Sequence, residues 1–219
     1  AMDYALKDST GNAGIAARKF WACYDDVVVC LVADLQAKNV NGPVYTALDQ
    51  CRLQGPVFVN NKKHQVAMGD HQLQLVQWIY HAGFAYIPAQ PAAINLQLKT
   101  VTGSWTTINA SEITTPLQDQ VFLPVLQHHS LPASFAYALS YVKSPAAARK
   151  LAANPTWKIL RNDSVCQAVT FPDGTVMAAF YSAGKLEAGK KLHVQVNQPC
   201  LVLLQKGKLY LSDPRHAGG

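Results

Sequence analysis

Charge is scarce in this chain of 219 residues: Asp, Glu, Lys and Arg make up only 15% of it, whereas 49% is hydrophobic. That balance argues against an extended, solvated polymer and for a globular chain with a substantial core, built as one large β domain or two smaller ones. Long apolar runs are also missing. The longest, "VVVCLVA" from Val27, is strand-sized and far short of the roughly 18 residues that a membrane span needs, so no membrane span is expected. The five cysteines, Cys23, Cys30, Cys51, Cys166 and Cys200, contain no CxxC pair, which argues against a compact zinc site or a small disulfide scaffold. Cys23 and Cys30 fit opposite strand surfaces, the other three fit buried free thiols, and the odd count leaves at least one thiol unpaired. There is no GxSxG turn, P-loop or dinucleotide fingerprint, so no cofactor or metal is expected. The formal charge of +6 favours an acidic partner. The cations, however, form only short pairs at Arg18-Lys19, Lys62-Lys63, Arg149-Lys150 and Lys190-Lys191. These make no nucleic-acid motif, and nucleic acid is not an expected partner.

What the chain does have is alternation broken by turn chemistry. "ARKFWACYDDVVVCLVADLQ" reads as two strands meeting at Tyr24-Asp25-Asp26. "VYTALDQCRL" follows the "NVNGP" turn, and "PVFVNN", "HQLQLVQWIYHAG", "AINLQLKTVTGSW", "QVFLPVLQHH" and "SFAYALSYV" continue the pattern. In "QWIYHAGFAYI", Trp78, Tyr80 and Ala82 share one strand face, Ile79 and His81 the other, and Gly83 supplies the turn. One segment differs: "SPAAARKLAANP" offers Ser144 as N-cap, Pro145 at the first helical position and Asn154-Pro155 as a stop. After this short helix come "TWKILRND", "CQAVTFPDGTVMAAFYSAG", "KKLHVQV", "CLVLLQKG" and "KLYLSD", with Asp173-Gly174 as a hairpin turn. The expectation is an all-β chain: a larger antiparallel region over 1–143, a helical connector over 144–154, and a small β-sandwich over 155–219.

No catalytic constellation stands out. His128-His129 is the most noticeable histidine pair, but neighbours on a strand point to opposite faces and cannot share a metal without a bend. Asp25-Asp26 suits turn geometry better than a pair of glycosidase acids, which must flank a substrate. Trp78 and Trp105 could stack on sugar rings, yet a tryptophan on an alternating strand is more often core. His81 beside aromatics could serve acid-base chemistry, against the plainer reading of a sheet residue.

Several stretches taken together and in order, "IAARKFWACYDDVVVCL", "VYTALDQCRL", "WIYHAGFAYI", "TGSWTTIN", "LQHHSLPASFAYALSYV", "NPTWKILRNDSVCQAV" and "MAAFYSAG", resemble the C-terminal half of polysaccharide lyase family 8, the chondroitin, hyaluronate and xanthan lyases. The resemblance runs from about Met2 to Leu211. It implies that the first part of the chain is the later portion of a central antiparallel β-supersandwich and that residues from about Asn154 onward form the terminal β-sandwich. It also implies a preceding α/α toroid in the parent protein and cleavage of acidic polysaccharide by β-elimination. In this family the catalytic Asn, His, Tyr and Arg belong to the toroid, and the assisting Glu to the early supersandwich. None of those motif segments is in this chain, so the resemblance assigns no catalytic role to Tyr80, His81 or Tyr86. The chain departs from the family at "HHSLP", where relatives tend to show a His-Gly pair, and at Ala82, where an acidic residue is common.

The leading expectation is the non-catalytic β region of an exported lyase, bracing the toroid and forming one wall of the cleft. His81 and Trp105 are its candidate substrate-binding residues, and chondroitin sulfate, hyaluronan or xanthan its candidate substrates. A stand-alone carbohydrate-binding or interaction module with the same fold is the alternative, and a self-contained enzyme with an unrecognised site the third. "AMDYALKDSTGNAG" lacks the basic start and apolar segment of a secretory signal, so a secreted or periplasmic protein is expected to have a signal removed or encoded upstream. A supersandwich cut midway is expected to leave apolar surface and strand edges exposed.

Overall fold

The computed structural model describes residues 1–60, 64–111, 113–188 and 192–213. Lys62-Lys63 and Lys190-Lys191 lie outside the described residues. The architecture is a stack of antiparallel sheets. The central, seven-stranded sheet runs in the order β1 (Met2–Lys7), β2 (Gly14–Tyr24), β3 (Val27–Lys38), β12 (Ala133–Tyr141), β9 (Phe84–Pro88), β8 (Ile79–His81), β6 (Phe58–Val59). Over one face lies a second sheet in the order β4 (Val44–Ala47), β11 (Leu117–His128), β10 (Ala92–Gly103), β7 (Gly69–Val76), with β5 (Cys51–Arg52) also on β11. A third sheet, β13 (Lys158–Asn162), β14 (Cys166–Thr170), β15 (Val176–Phe180), β18 (Cys200–Gln205), β19 (Lys208–Ser212), covers part of the opposite face. It is capped in turn by the hairpin β16 (Gly184–Ala188) and β17 (Leu192–Val196).

The alternation in the sequence explains the layers. On β10, Ile94, Leu96 and Leu98 are buried while the residues between them are wetter. They pack with Leu73, Val76 and Phe122 of the second sheet against Val59, Ile79 and Tyr86 of the central one. The central sheet is apolar on both faces. Along β12, Tyr137 and Leu139 turn towards the second sheet, and Ala136 and Ala138 turn towards the third. Phe20, Ala22, Val29 and Leu31 share that outer core with Val169, Phe171 and Ala179. Strand β14 is buried on both sides as well, with Cys166 and Ala168 facing the β16–β17 hairpin and Val169 facing the central sheet. A strand covered on both faces reads as a near-continuous apolar run.

Helix α1 (Pro145–Ala153) starts where Ser144 accepts a hydrogen bond from Ala147 N, and Asn154 N closes it onto Lys150 O. It covers a further part of the outer surface of the central sheet, packing Ala148 and Leu151 against Trp78, Ala85 and Ile87. Two strands escaped the alternation pattern, β1 and β16, because "MDYALK" and "GKLEA" mix charge into short segments. Apolar side chains are exposed on the edge strand β19, at Leu209, Tyr210 and Leu211, and on β1, at Met2 and Leu6.

Candidate functional site

Strands β8 and β9 are joined by Ala82 and Gly83, with φ of +49° and +87°. This is the two-residue hairpin geometry that needs positive φ at both central positions. It sends His81 inward. The ring is 1% exposed, and it stacks on Phe122 with centroids 4.2 Å apart and planes 21° from parallel. Nε2 accepts a hydrogen bond from Gln54 N at 2.9 Å, which places the proton of the neutral imidazole on Nδ1, 3.9 Å from Cys51 Sγ. Burial pushes the His81 pKa down, against a smaller upward pull from Asp49. Burial and Asp49 push the Cys51 thiol up to about 11. The Tyr86 hydroxyl donates to Asp49 Oδ2 at 2.5 Å, and burial, reinforced by that carboxylate, pushes its pKa far above the usual 10.0.

A neutral imidazole beside a protonated thiol is not an activated nucleophile, which requires the thiolate. These side chains instead fasten the segment from Asp49 to Gln54 onto the sandwich. The pleat and the hairpin turn His81, a candidate substrate-binding residue in the sequence, into the core, where both ring nitrogens face protein groups.

Trp105 stands elsewhere, in a single 3₁₀ turn, Trp105–Thr107, whose first residue follows Ser104; the Ser104 Oγ accepts from Thr106 N at 3.3 Å. Its side chain is 50% exposed, and the neighbouring Ile108, Ile113 and Leu117 are exposed too. The core expectation thus holds for Trp78, 4% exposed, and fails for Trp105. The reason is that Trp105 lies past the end of β10, where none of the described layers covers it. The structure does not bring His81 and Trp105 together: one lies between the sheets, the other at the β10–β11 connection.

The remaining sequence candidates are structural. His128 ends β11, with Nε2 2.9 Å from Thr46 Oγ1 and its pKa lowered by burial and by His129, which lies beyond the strand. Asp25, with φ of +45°, and Asp26 make the β2–β3 turn. Cys30 and Cys166 are buried, but Cys51 and Cys200 are only partly so and Cys23 is exposed, because strand ends and edges lack a covering layer; all are free thiols. Among the described residues no group of three or more His, Cys, Asp or Glu is placed to hold a metal ion.

Two clefts flank α1. On one side a cleft of about 550 Å³ is bordered by Asp25, Asp26, Tyr141, Lys150 and Asp173. On the other, a groove of about 790 Å³ lies between the helix and the strand-connecting segments, bordered by Gln77, Trp78, Pro88, Pro91, Arg149 and Lys150. The Arg149-Lys150 pair was visible in the sequence, but nothing there placed it opposite Gln77.

An antiparallel sandwich that shares one of its faces with a second, smaller sandwich defines the class, a layered all-β scaffold of the type that polysaccharide lyases carry. The chain belongs to polysaccharide lyase family 8: the family's super-sandwich domain matches residues 1–169 and its C-terminal beta-sandwich domain matches residues 158–219. The hyaluronate lyase of Thermasporomyces composti is 30% identical over 220 residues, which cover 93% of this chain and 27% of that protein. The xanthan lyase of Bacillus sp. (strain GL1) is 26% identical over 231 residues, covering 95% and 24% respectively. A chondroitinase AC lyase solved in complexes with oligosaccharides superposes with a TM-score of 0.85 at 28% identity, over 99% of this chain and 32% of that one. The chain thus spans roughly a quarter to a third of the length of these relatives.

Proposed function

We propose that this chain is the non-catalytic β region of a lyase that cleaves acidic, uronate-containing polysaccharide by β-elimination, and that it braces a preceding helical toroid and forms one wall of the substrate cleft. The observation that carries the reading is collinearity: two successive family domains match the chain from end to end, and relatives acting on hyaluronan and xanthan match over the same span. The chemistry of the described residues supports it. Elimination needs a base to take the C5 proton and an acid for the leaving oxygen, and His81, the most conspicuous histidine, is buried in the core with its pKa pushed down by that burial, beside a Cys51 thiol pushed up to about 11. Chondroitin sulfate, hyaluronan and xanthan are the substrates to test. A polysaccharide does not cross a membrane intact, and on that ground the proposal has the parent protein act outside the cytoplasm, secreted or periplasmic.

The test is to mix the pure 219-residue chain, and separately the full parent protein, with each polysaccharide and follow the ultraviolet absorbance of unsaturated uronate. Product is expected from the parent alone. Product from the 219-residue chain overturns the non-catalytic assignment. A parent protein that binds glycan without forming product favours the carbohydrate-binding module instead.

A further inference from the structure

We infer that the groove between α1 and the β8–β9 strands is an anchoring subsite for a strand of acidic polysaccharide, separate from any elimination chemistry. The inference rests on the reading that the parent lyase acts on such polymers.

Its first support is the charge of the walls. The groove is built from two stretches, Gln77 to Pro91 and Ala146 to Ala153. The sequence has no Asp or Glu between Asp70 and Glu112, and none between Asp119 and Asp163, so neither wall carries an anion. Arg149 and Lys150 are exposed, and no ion pair engages either among the described residues. By contrast, Arg18, Arg52 and Arg161 are neutralised by Asp3, Asp119 and Asp163.

The second support is shape and donor chemistry. A volume of about 790 Å³ lies in the range of about 300–1,000 Å³ typical of ligand sites. An arginine offers a planar fork that fits a carboxylate or sulfate bidentately, whereas lysine adds a mobile point charge. Exposed Gln77 supplies an amide for a hydroxyl, and Pro88 and Pro91 give apolar wall against the C–H face of a sugar ring. The cleft on the far side of α1 shares Lys150 with the groove but adds the carboxylates of Asp25, Asp26 and Asp173, which outweigh that cation and disfavour the same polymer. The helix therefore sorts the two sides by sign, and a polyanion is steered to one of them.

The experiment titrates the 219-residue chain with size-defined chondroitin sulfate and hyaluronan oligosaccharides by calorimetry at two salt concentrations. It compares wild type with Arg149→Glu/Lys150→Glu, the milder Arg149→Gln/Lys150→Gln, and a charge-matched control, Lys206→Glu/Lys208→Glu, on the far sandwich. Thermal melts establish that each variant is folded. The expected result is at least a tenfold loss of affinity in the Glu pair, a smaller loss in the Gln pair, and less than a threefold loss in the control. The slope of log affinity against log salt should shrink by about two charges' worth, as counterion release requires. Equal losses in groove and control variants, an unchanged groove variant, or a wild type that binds neither glycan overturns the subsite. None of these outcomes touches the lyase reading, which fails only if the parent protein forms no unsaturated product from any acidic polysaccharide.

Discussion

Ala82 sits at φ +49° in the tight turn between β8 and β9, a left-handed conformation that a Cβ-bearing residue adopts at a cost and that asparagine tolerates better. Ala82→Asn creates the Asn-Gly pair favoured in this turn and is expected to raise stability by about 0.5–1 kcal/mol, read as a higher denaturation midpoint at unchanged slope. The next residue has no such latitude. A Cβ on Gly83 meets the Tyr141 ring at 3.3 Å, and its φ is +87°, so Gly83→Ala is expected to destabilise. His81 carries a pH prediction. In the unfolded chain it takes up a proton near its ordinary 6.5, whereas the folded state binds that proton only at a lower pH. Acidification below about 6.5 therefore favours unfolding until the folded-state pKa is passed. Melting temperatures recorded between pH 7 and 5 are expected to fall more steeply for wild type than for His81→Gln. Part of the slope stays in the variant, because His128 is depressed in the same direction.

At the scale of elements, α1 depends on its cap. Ser144→Ala removes the acceptor for Ala147 N and is expected to cost about 1 kcal/mol. The effect is visible as a lower melting temperature, with a near-ultraviolet change from Trp78, which the helix covers. This helix was legible in the sequence because capping is local: Ser144, Pro145 and Asn154 declare it within about ten residues. The hairpin turns at Asp25-Asp26, Gly83 and Asp173-Gly174 were legible for the same reason, although Ala82, expected on the strand face of Trp78 and Tyr80, belongs to the turn. The faces of β8 were legible too, since Ile79 and His81 do share the inner core while Trp78 and Tyr80 share the outer one. What alternation could not provide was the identity of the covering layer. The ring of His81 meets Gln54, 27 residues away, and the groove beside α1 joins segments some 60 residues apart. Such pairings are decided by tertiary assembly, and a pattern of period two contains no trace of them.

For the whole molecule, the telling region is the seam between the central sheet and the third. Asn162 Nδ2 donates to Val32 O and Phe135 O, and fully buried Gln167 donates from Nε2 to Asn162 Oδ1 and Arg18 O. The Tyr181 hydroxyl lies 2.8 Å from Lys19 O and 2.6 Å from Gln167 Oε1. Around these bonds lies the shared core of Phe20, Leu31, Val169 and Phe171. Strands of both sandwiches unfolding apart would expose that core, so calorimetry is expected to show one transition. Asn162→Ala is expected to lower it as a unit, by about 1–3 kcal/mol for carbonyls left without their donor. Two separable transitions, of which only the later residues' shifts, would contradict the seam.

That seam also constrains how such a gene can be rearranged. The two family domains overlap at residues 158–169, the stretch that holds Asn162, Gln167 and Val169. A recombination junction placed at the helix yields an orphaned front half with a greasy, aggregation-prone flank and a tail with no surface to sit on. The two sandwiches are therefore expected to tolerate rearrangement only as a pair, and grafting the tail alone onto another enzyme would transplant half of a joint.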